Sequence, residues 1–162
     1  MSVSVLAGRT EVMSDRTRWA DVRREAPELA EKAGALFDSG TNKTMATLRA
    51  DGSPRISGTE LVVGDDLTLG MMPSSRKLAD VLRDPRVAIH SPTLEPPKDA
   101  DAWAGEAKVA GRLVPVDQPE GGLPGSYFAL DVTEVVLTSV SGDRLVVESW
   151  HPGRGVERLS RT

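Results

Sequence analysis

Four consecutive residues, Ser74, Ser75, Arg76 and Lys77, bring two hydroxyls and two cations to what reads as the start of a helix. The stretch around them, MMPSSRKLADVLRDPRVAIH over 71–90, spells a strand end, a turn, a helix that stops before Pro85, and another strand. Ser74 or Ser75 suits the N-cap. Arg76 and Lys77 then fall in the first turn, where the helix dipole is already positive, and each placement costs about 0.3–1 kcal/mol. An anion resolves the conflict. The first amides of a helix lack partners, and a guanidinium and an ammonium can close on a phosphate from two sides. Charge-assisted hydrogen bonds worth about 1.5–3 kcal/mol each outweigh the dipole cost. The plainer alternative is a pair of solvated surface charges beside an ordinary serine cap.

Little else in the chain offers chemistry. There is no cysteine, which excludes disulfides, thiolate metal sites and cysteine nucleophiles. The two histidines, His90 and His151, are far apart in sequence and have no carboxylate neighbour in it, so they do not read as a metal pair. His90 reads as an ordinary strand residue, His151 as a second candidate to approach a substrate, and Trp150 as a core or interface anchor. No nucleophile elbow, phosphate-binding glycine loop or zinc spacing is present.

These residues need elements to hold them. Apolar positions Trp19, Val22, Ala26, Leu29, Ala30, Ala33 and Leu36 form a helical stripe, broken by Pro27 into two helices and closed by Gly40 as a left-handed stop. Strands follow. TMATL leads through Asp51-Gly52, a hairpin signal, into RISGTELVV and then LTLGMM. After the basic helix come RVAIHS, a proline-rich loop, GEAKVAGRLVPV with Gly111 as a bulge or close approach, and a last hairpin of YFALDVTEVVLTSV and RLVVESW. Six or seven strands at this spacing predict an antiparallel barrel or sandwich, with helices covering its edges. The predicted division is a disordered N-terminal segment over 1–18 (with Met13 as an alternative start), one domain over 19–155, and a polar tail over 156–162. The chain has 162 residues with 39% hydrophobic and 27% charged content, as a soluble globular domain does. A net charge of −4 argues against nucleic acid, and no apolar run nears the roughly 20 residues that cross a bilayer. A cytoplasmic protein is expected.

SSRKLADVLRDPRVAIH resembles the flavin-phosphate segment of the pyridoxamine 5′-phosphate oxidase family. ATLRADGSPRIS resembles that family's first hairpin, and AKVAGRLVPVD its later strand with a central glycine. LDVTEVVL and LVVESWHPGRG look like its flavin/deazaflavin oxidoreductase branch. The resemblance runs in order from Ala46 to Gly155. It implies a mainly β fold with flanking helices, an antiparallel FMN-binding split β-barrel, forming a homodimer with cofactor at the subunit interface and a small-molecule substrate. By the same resemblance Ser75, Arg76 and Lys77 hold the FMN phosphate with Arg55, Ile56 and Ser57 lie along the flavin edge, and Gly70 and Met71 line the ring's other side. Glu106 reaches the flavin from the second subunit.

The departures point away from a true pyridoxamine phosphate oxidase. Glu60 stands where those enzymes carry a lysine near the flavin pyrimidine, and a carboxylate there does not stabilise the charge of reduced flavin. Their terminal substrate clamp is replaced by WHPGRGVER. The segment DQPEGGLPGS is too short and broken for the family's helix, and its loss is expected to open one flank of the pocket. The implied function is a flavin-dependent oxidoreductase passing hydride or electrons to or from a small organic molecule. Alternatives are a reductase using the deazaflavin coenzyme F-420, whose tail Lys43, Lys98 and Arg112 could hold, and a non-catalytic flavin- or haem-binding barrel.

Overall fold

The computed structural model describes residues 15–162. Helix α1 (Trp19–Glu25) starts where the Arg18 amide donates to the Asp21 carboxylate at 2.8 Å. It ends because Pro27 bars the preceding residue from helical geometry, and Pro27 then opens α2 (Pro27–Phe37) at a position where its missing N–H costs nothing. The stop of α2 differs from expectation. Gly40 does not adopt a left-handed conformation; instead the Ser39 hydroxyl donates to Leu36 O at 2.7 Å, and Gly40 packs near Pro92.

Among the described residues, nine strands form one antiparallel sheet: β1 (Lys43–Leu48), β2 (Pro54–Thr59), β3 (Val62–Val63), β4 (Leu67–Met71), β5 (Arg86–His90), β6 (Glu106–Val116), β7 (Ser126–Ser141), β8 (Arg144–His151) and β9 (Gly155–Arg161). Helix α3 (Arg76–Arg83) sits between β4 and β5. The order is β2-β1-β5-β6-β7-β4-β3. Strand β7 divides the sheet. One edge pairs with β6 along most of its length, while the other pairs with β4 at residues 126–129 and with β8 at residues 135–141. The β1–β2 turn forms as its Asp-Gly signal predicts, with Gly52 at φ +83° and Arg49 N bonded to Ser53 O at 2.9 Å. Gly111 fills both of its predicted roles. The β6–β7 register shifts between Ala110 and Gly111, and a side chain at 111 would collide with the Asp131 carbonyl.

The continuous strand expected over RISGTELVV is two strands, because the chain turns at residues 60–61 to bring β3 against β4. The polar tail expected over 156–162 is largely β9, paired with β8 from Gly155 to Arg161. Its apolar side chains, Val156 and Leu159, fall on opposite faces and are exposed, so hydropathy alone did not mark a strand. Of the expected N-terminal disorder, residues 1–14 lie outside the described residues. Residues 15–18 do not conform: Thr17 N donates to the Asp131 carboxylate, Thr17 O accepts from Val132 N, and Arg16 and Arg18 clasp Asp66 at 3.0 and 2.8 Å.

Helices α1 and α2 lay Trp19, Val22, Leu29, Ala33 and Phe37 onto the sheet, where Met45, Ile89, Val109, Leu130, Val135 and Leu137 complete the core. Trp150 is wholly buried in it, as an anchor should be. Among the described residues no helix is long and apolar enough to cross a membrane.

Candidate functional site

The turn into α3 is sharp. Ser74 takes φ +66°, a conformation that costs a non-glycine residue about 1 kcal/mol or more. Ser75 is the N-cap, its hydroxyl oxygen accepting from Leu78 N at 3.3 Å. Arg76 and Lys77 then lie about 100° apart around the helix. They therefore face different spaces. Arg76 lines a cleft of about 400 Å³ with Arg49, Arg55 and Arg83, whereas Lys77 lines a cavity of about 430 Å³ with Gly70 and Met71. The two cations flank the helix start from either side and do not converge on one point.

Asp80 organises the cleft. One helical turn after Arg76, it is 2% exposed and accepts from Thr47 Oγ1 at 2.7 Å, Arg55 Nε at 2.7 Å and Arg83 Nη2 at 3.0 Å. The Arg55 hydrogen bond, with help from Thr47 and Arg83, lowers the Asp80 pKa to about 2 against the cost of burial. Arg55 gives Asp80 only its Nε, so its two terminal nitrogens remain for a ligand. Arg55 is thus locked in place by a group that the sequence does not single out.

On the other side, Lys77 Nζ donates to Gly58 O at 2.7 Å, across the free edge of β2, and burial lowers its pKa. Glu60 and Asn42 add polar groups to this cavity, and Leu69, Val62 and Met72 add apolar ones. Its remaining wall is the segment expected to leave a flank open. Leu123, Pro124 and Gly125 line the cavity directly. Tyr127, the chain's only tyrosine, donates its hydroxyl to Leu123 O at 2.6 Å, and Gln118 Nε2 donates to Gly122 O at 2.7 Å. Two glycines make this closure possible. A Cβ at Gly70 would lie 2.8 Å from the Tyr127 ring, and one at Gly125 would lie 2.6 Å from Met71 O. The shortened loop thus forms one wall of the cavity, held by the Tyr127 hydroxyl, where the sequence led one to expect an open flank. Tyr127→Phe is expected to cost about 1 kcal/mol. It should also speed hydrogen exchange across residues 118–125 while leaving β6 and β7 unchanged, which exchange mass spectrometry would read.

The other expected site residues lie outside both spaces. Ile56 points outward from β2 at 75% exposure, and Ser57 faces inward with a buried hydroxyl that has no partner. Glu106 sits on β6 with its carboxylate 3.2 Å from His90 Nε2. His151 lies 2.8 Å from Glu134 and lines neither space. The groove suggested by Lys43, Lys98 and Arg112 does not form: Lys43 is buried with Nζ on Thr41 O and Leu61 O, and Arg112 sits opposite Arg86 on the sheet. Sequence reasoning missed Arg49, Asp80, Arg83 and Tyr127. The one signal for Asp80 was its place between Leu78 and Val81, a carboxylate on the side of α3 that must face the sheet.

No protein-family model and no curated protein sequence matches the chain. Its structure does match solved structures. A pyridoxamine 5′-phosphate oxidase-related, FMN-binding protein from Nostoc punctiforme superposes with a TM-score of 0.57 at 11% identity, over 87% of this chain and 96% of that one. The fold is the split barrel of the pyridoxamine 5′-phosphate oxidase-like proteins. PhzG from Burkholderia lata 383, solved with tetrahydrophenazine-1-carboxylic acid, is similar at TM-score 0.59 and 13% identity, over 84% and 89% of the two chains. A heme binding protein from Mycobacterium smegmatis is similar at TM-score 0.53 and 15% identity, over 82% and 87%. Of these neighbours, one is thus FMN-binding and another heme-binding.

Proposed function

We propose that this split barrel is a flavin-dependent oxidoreductase of a small organic substrate, with FMN as its cofactor, working as a homodimer in the cytoplasm. The observation that carries the reading is the start of α3, where an arginine cleft and a largely apolar cavity meet across two successive residues. A mononucleotide has the same two halves, a dianionic phosphate and a planar ring. Arg76 and the free nitrogens of Arg55 would hold the phosphate, and the cavity beside Lys77, Gly70 and Met71 would take the ring. The ring supplies the redox chemistry when bound, and the protein binds and orients. Met72, Leu123 and Val62, at 76, 80 and 64% exposure, rim the cavity, and with Ile56 they offer the apolar surface a second subunit would cover. Glu106 would then contribute from the partner. F-420 remains the alternative cofactor, with this cleft in place of the lysine groove.

Titration with FMN and riboflavin tests the reading. FMN should bind more tightly than riboflavin, and Arg76→Ala should weaken FMN about tenfold while leaving riboflavin unchanged, the loss of one charge-assisted bond. Equal FMN affinity in wild type and Arg76→Ala would remove the phosphate assignment. A second reading, binding without turnover, draws on the heme-binding neighbour and on a cavity whose charged groups, among the described residues, are Glu60 and Lys77 alone. Loaded protein that binds FMN but fails to exchange electrons with any organic acceptor would favour it.

A further inference from the structure

The arginine cleft does not end at Arg55 and Arg76. A second space of about 490 Å³ shares Arg49, Ala50 and Arg83 with it and continues to Arg86. The joined groove runs between the β1–β2 turn and the flank of α3. It gathers five guanidiniums, Arg49, Arg55, Arg76, Arg83 and Arg86, against Asp51, Asp80 and Asp84, on a chain of net charge −4. Those carboxylates are already engaged. Asp80 takes Thr47, Arg55 and Arg83; Asp84 is gripped by Arg86 through Nε and Nη2, the latter at 2.6 Å; Asp51 turns to the amide and hydroxyl of Ser53. Among the described residues, the side chains of Arg49 and Arg76 make no ion pair.

The free donors divide by the space they line: Arg55 and Arg76 belong to the first cleft alone, and Arg49 and Arg83 to both, which makes two pairs. Arg83 spends a single nitrogen, Nη2, on both Asp80 Oδ1 and Leu48 O, which leaves Nε and Nη1 beside Arg49. A single phosphate occupies only one of these pairs. We propose that the groove is a two-anion subsite, which takes a ligand carrying two linked phosphoryl groups: the first on Arg55 and Arg76, the second on Arg49 and Arg83. The class is a diphosphate ester; in a flavin, the FMN half would fill the first pair and the ring cavity, and the second phosphoryl group would extend to Arg49 and Arg83. Planar guanidiniums suit this chemistry because each can grip two phosphate oxygens at once. The inference rests on the flavin reading only for the identity of the group attached to the first phosphate.

Inorganic phosphate, inorganic pyrophosphate, FMN and FAD would be titrated calorimetrically into the full chain at fixed ionic strength. Pyrophosphate should bind at least about tenfold more tightly than phosphate, and Arg49→Ala should erase that preference. The same substitution should weaken FAD about tenfold and leave FMN within about twofold. Arg49 is exposed on a turn, and an unchanged melting temperature would confirm that Arg49→Ala leaves the fold intact. A pyrophosphate preference that is absent, or that survives Arg49→Ala, overturns the proposal. So does FMN affinity that rises with added phosphate while FAD binds no better than FMN, since the second anion is then a separate ion. If neither flavin binds but the pyrophosphate preference stands and needs Arg49, the groove is upheld and the flavin reading falls.

Discussion

Asp80→Ala is expected to destabilise the protein by about 3 kcal/mol and to weaken any anion in the arginine cleft about tenfold. The carboxylate is buried and satisfied by three donors, so its removal leaves Arg55, itself only 19% exposed, without a counter-charge. The half-exposed Arg83 contributes the smaller share, because water screens it. Asp80→Asn keeps the shape but not the charge, and an amide cannot accept from both arginines with its nitrogen half. The variant should therefore lose most of the same stability.

The acid dependence follows from the depressed pKa. Asp80 titrates near 2 in the folded protein against an ordinary 3.8. Its contribution is present in full above the ordinary value and is lost as pH falls through the folded one. The stability gap between wild type and Asp80→Asn should thus be constant from pH 7 to about 5 and close between about pH 4 and pH 2. Urea unfolding at a series of pH values measures it. A gap that does not narrow in acid would mean that Asp80 acts through packing and not through charge.

Gly111→Ala is the second large effect, expected at about 3 kcal/mol or more. A methyl group there would press into the Asp131 carbonyl, which is backbone and cannot swing away as a side chain does. The collision falls in the middle of the β6–β7 pairing, where the register shifts. It also reaches the N-terminal segment, since the Asp131 carboxylate accepts from Thr17 N at 2.8 Å. Amides near Thr17 and Val132 should exchange faster before the protein unfolds globally. Gly58→Ala is the control: nothing lies within 4 Å of the added carbon, and stability should stay within about 0.5 kcal/mol. Equal behaviour of the two variants in thermal unfolding would refute the close-approach reading of Gly111.

Much of the local structure was legible because it depends on short-range sterics. Pro27 dividing two helices, Asp51-Gly52 turning a hairpin, Ser75 capping α3 and Gly111 marking a bulge each rest on what one residue's backbone can or cannot do. The assignments that failed depended on partners distant in sequence. Strand β9 exists because β8 offers it an edge, and its own hydropathy does not reveal that. Gly40 was read as the helix stop on residue type, yet the neighbouring Ser39 hydroxyl reached the carbonyl first. The loop over 117–126 looked like an opening because it is short, and only the crossing of Tyr127 over Gly70 turns it into a wall.

By itself the sequence determined the order of the elements, the places where the chain must turn, and that two cations crowd the start of α3. Tertiary structure alone decided what those cations face. A helix sends successive side chains about 100° apart, so which neighbour each meets depends on how the helix is seated against β1 and β2. That seating is governed by Asp80, whose buried charge must find Arg55 from a strand 25 positions away in the chain. No local pattern encodes such a contact, because the energy that fixes it appears only once water has been excluded from between the two groups.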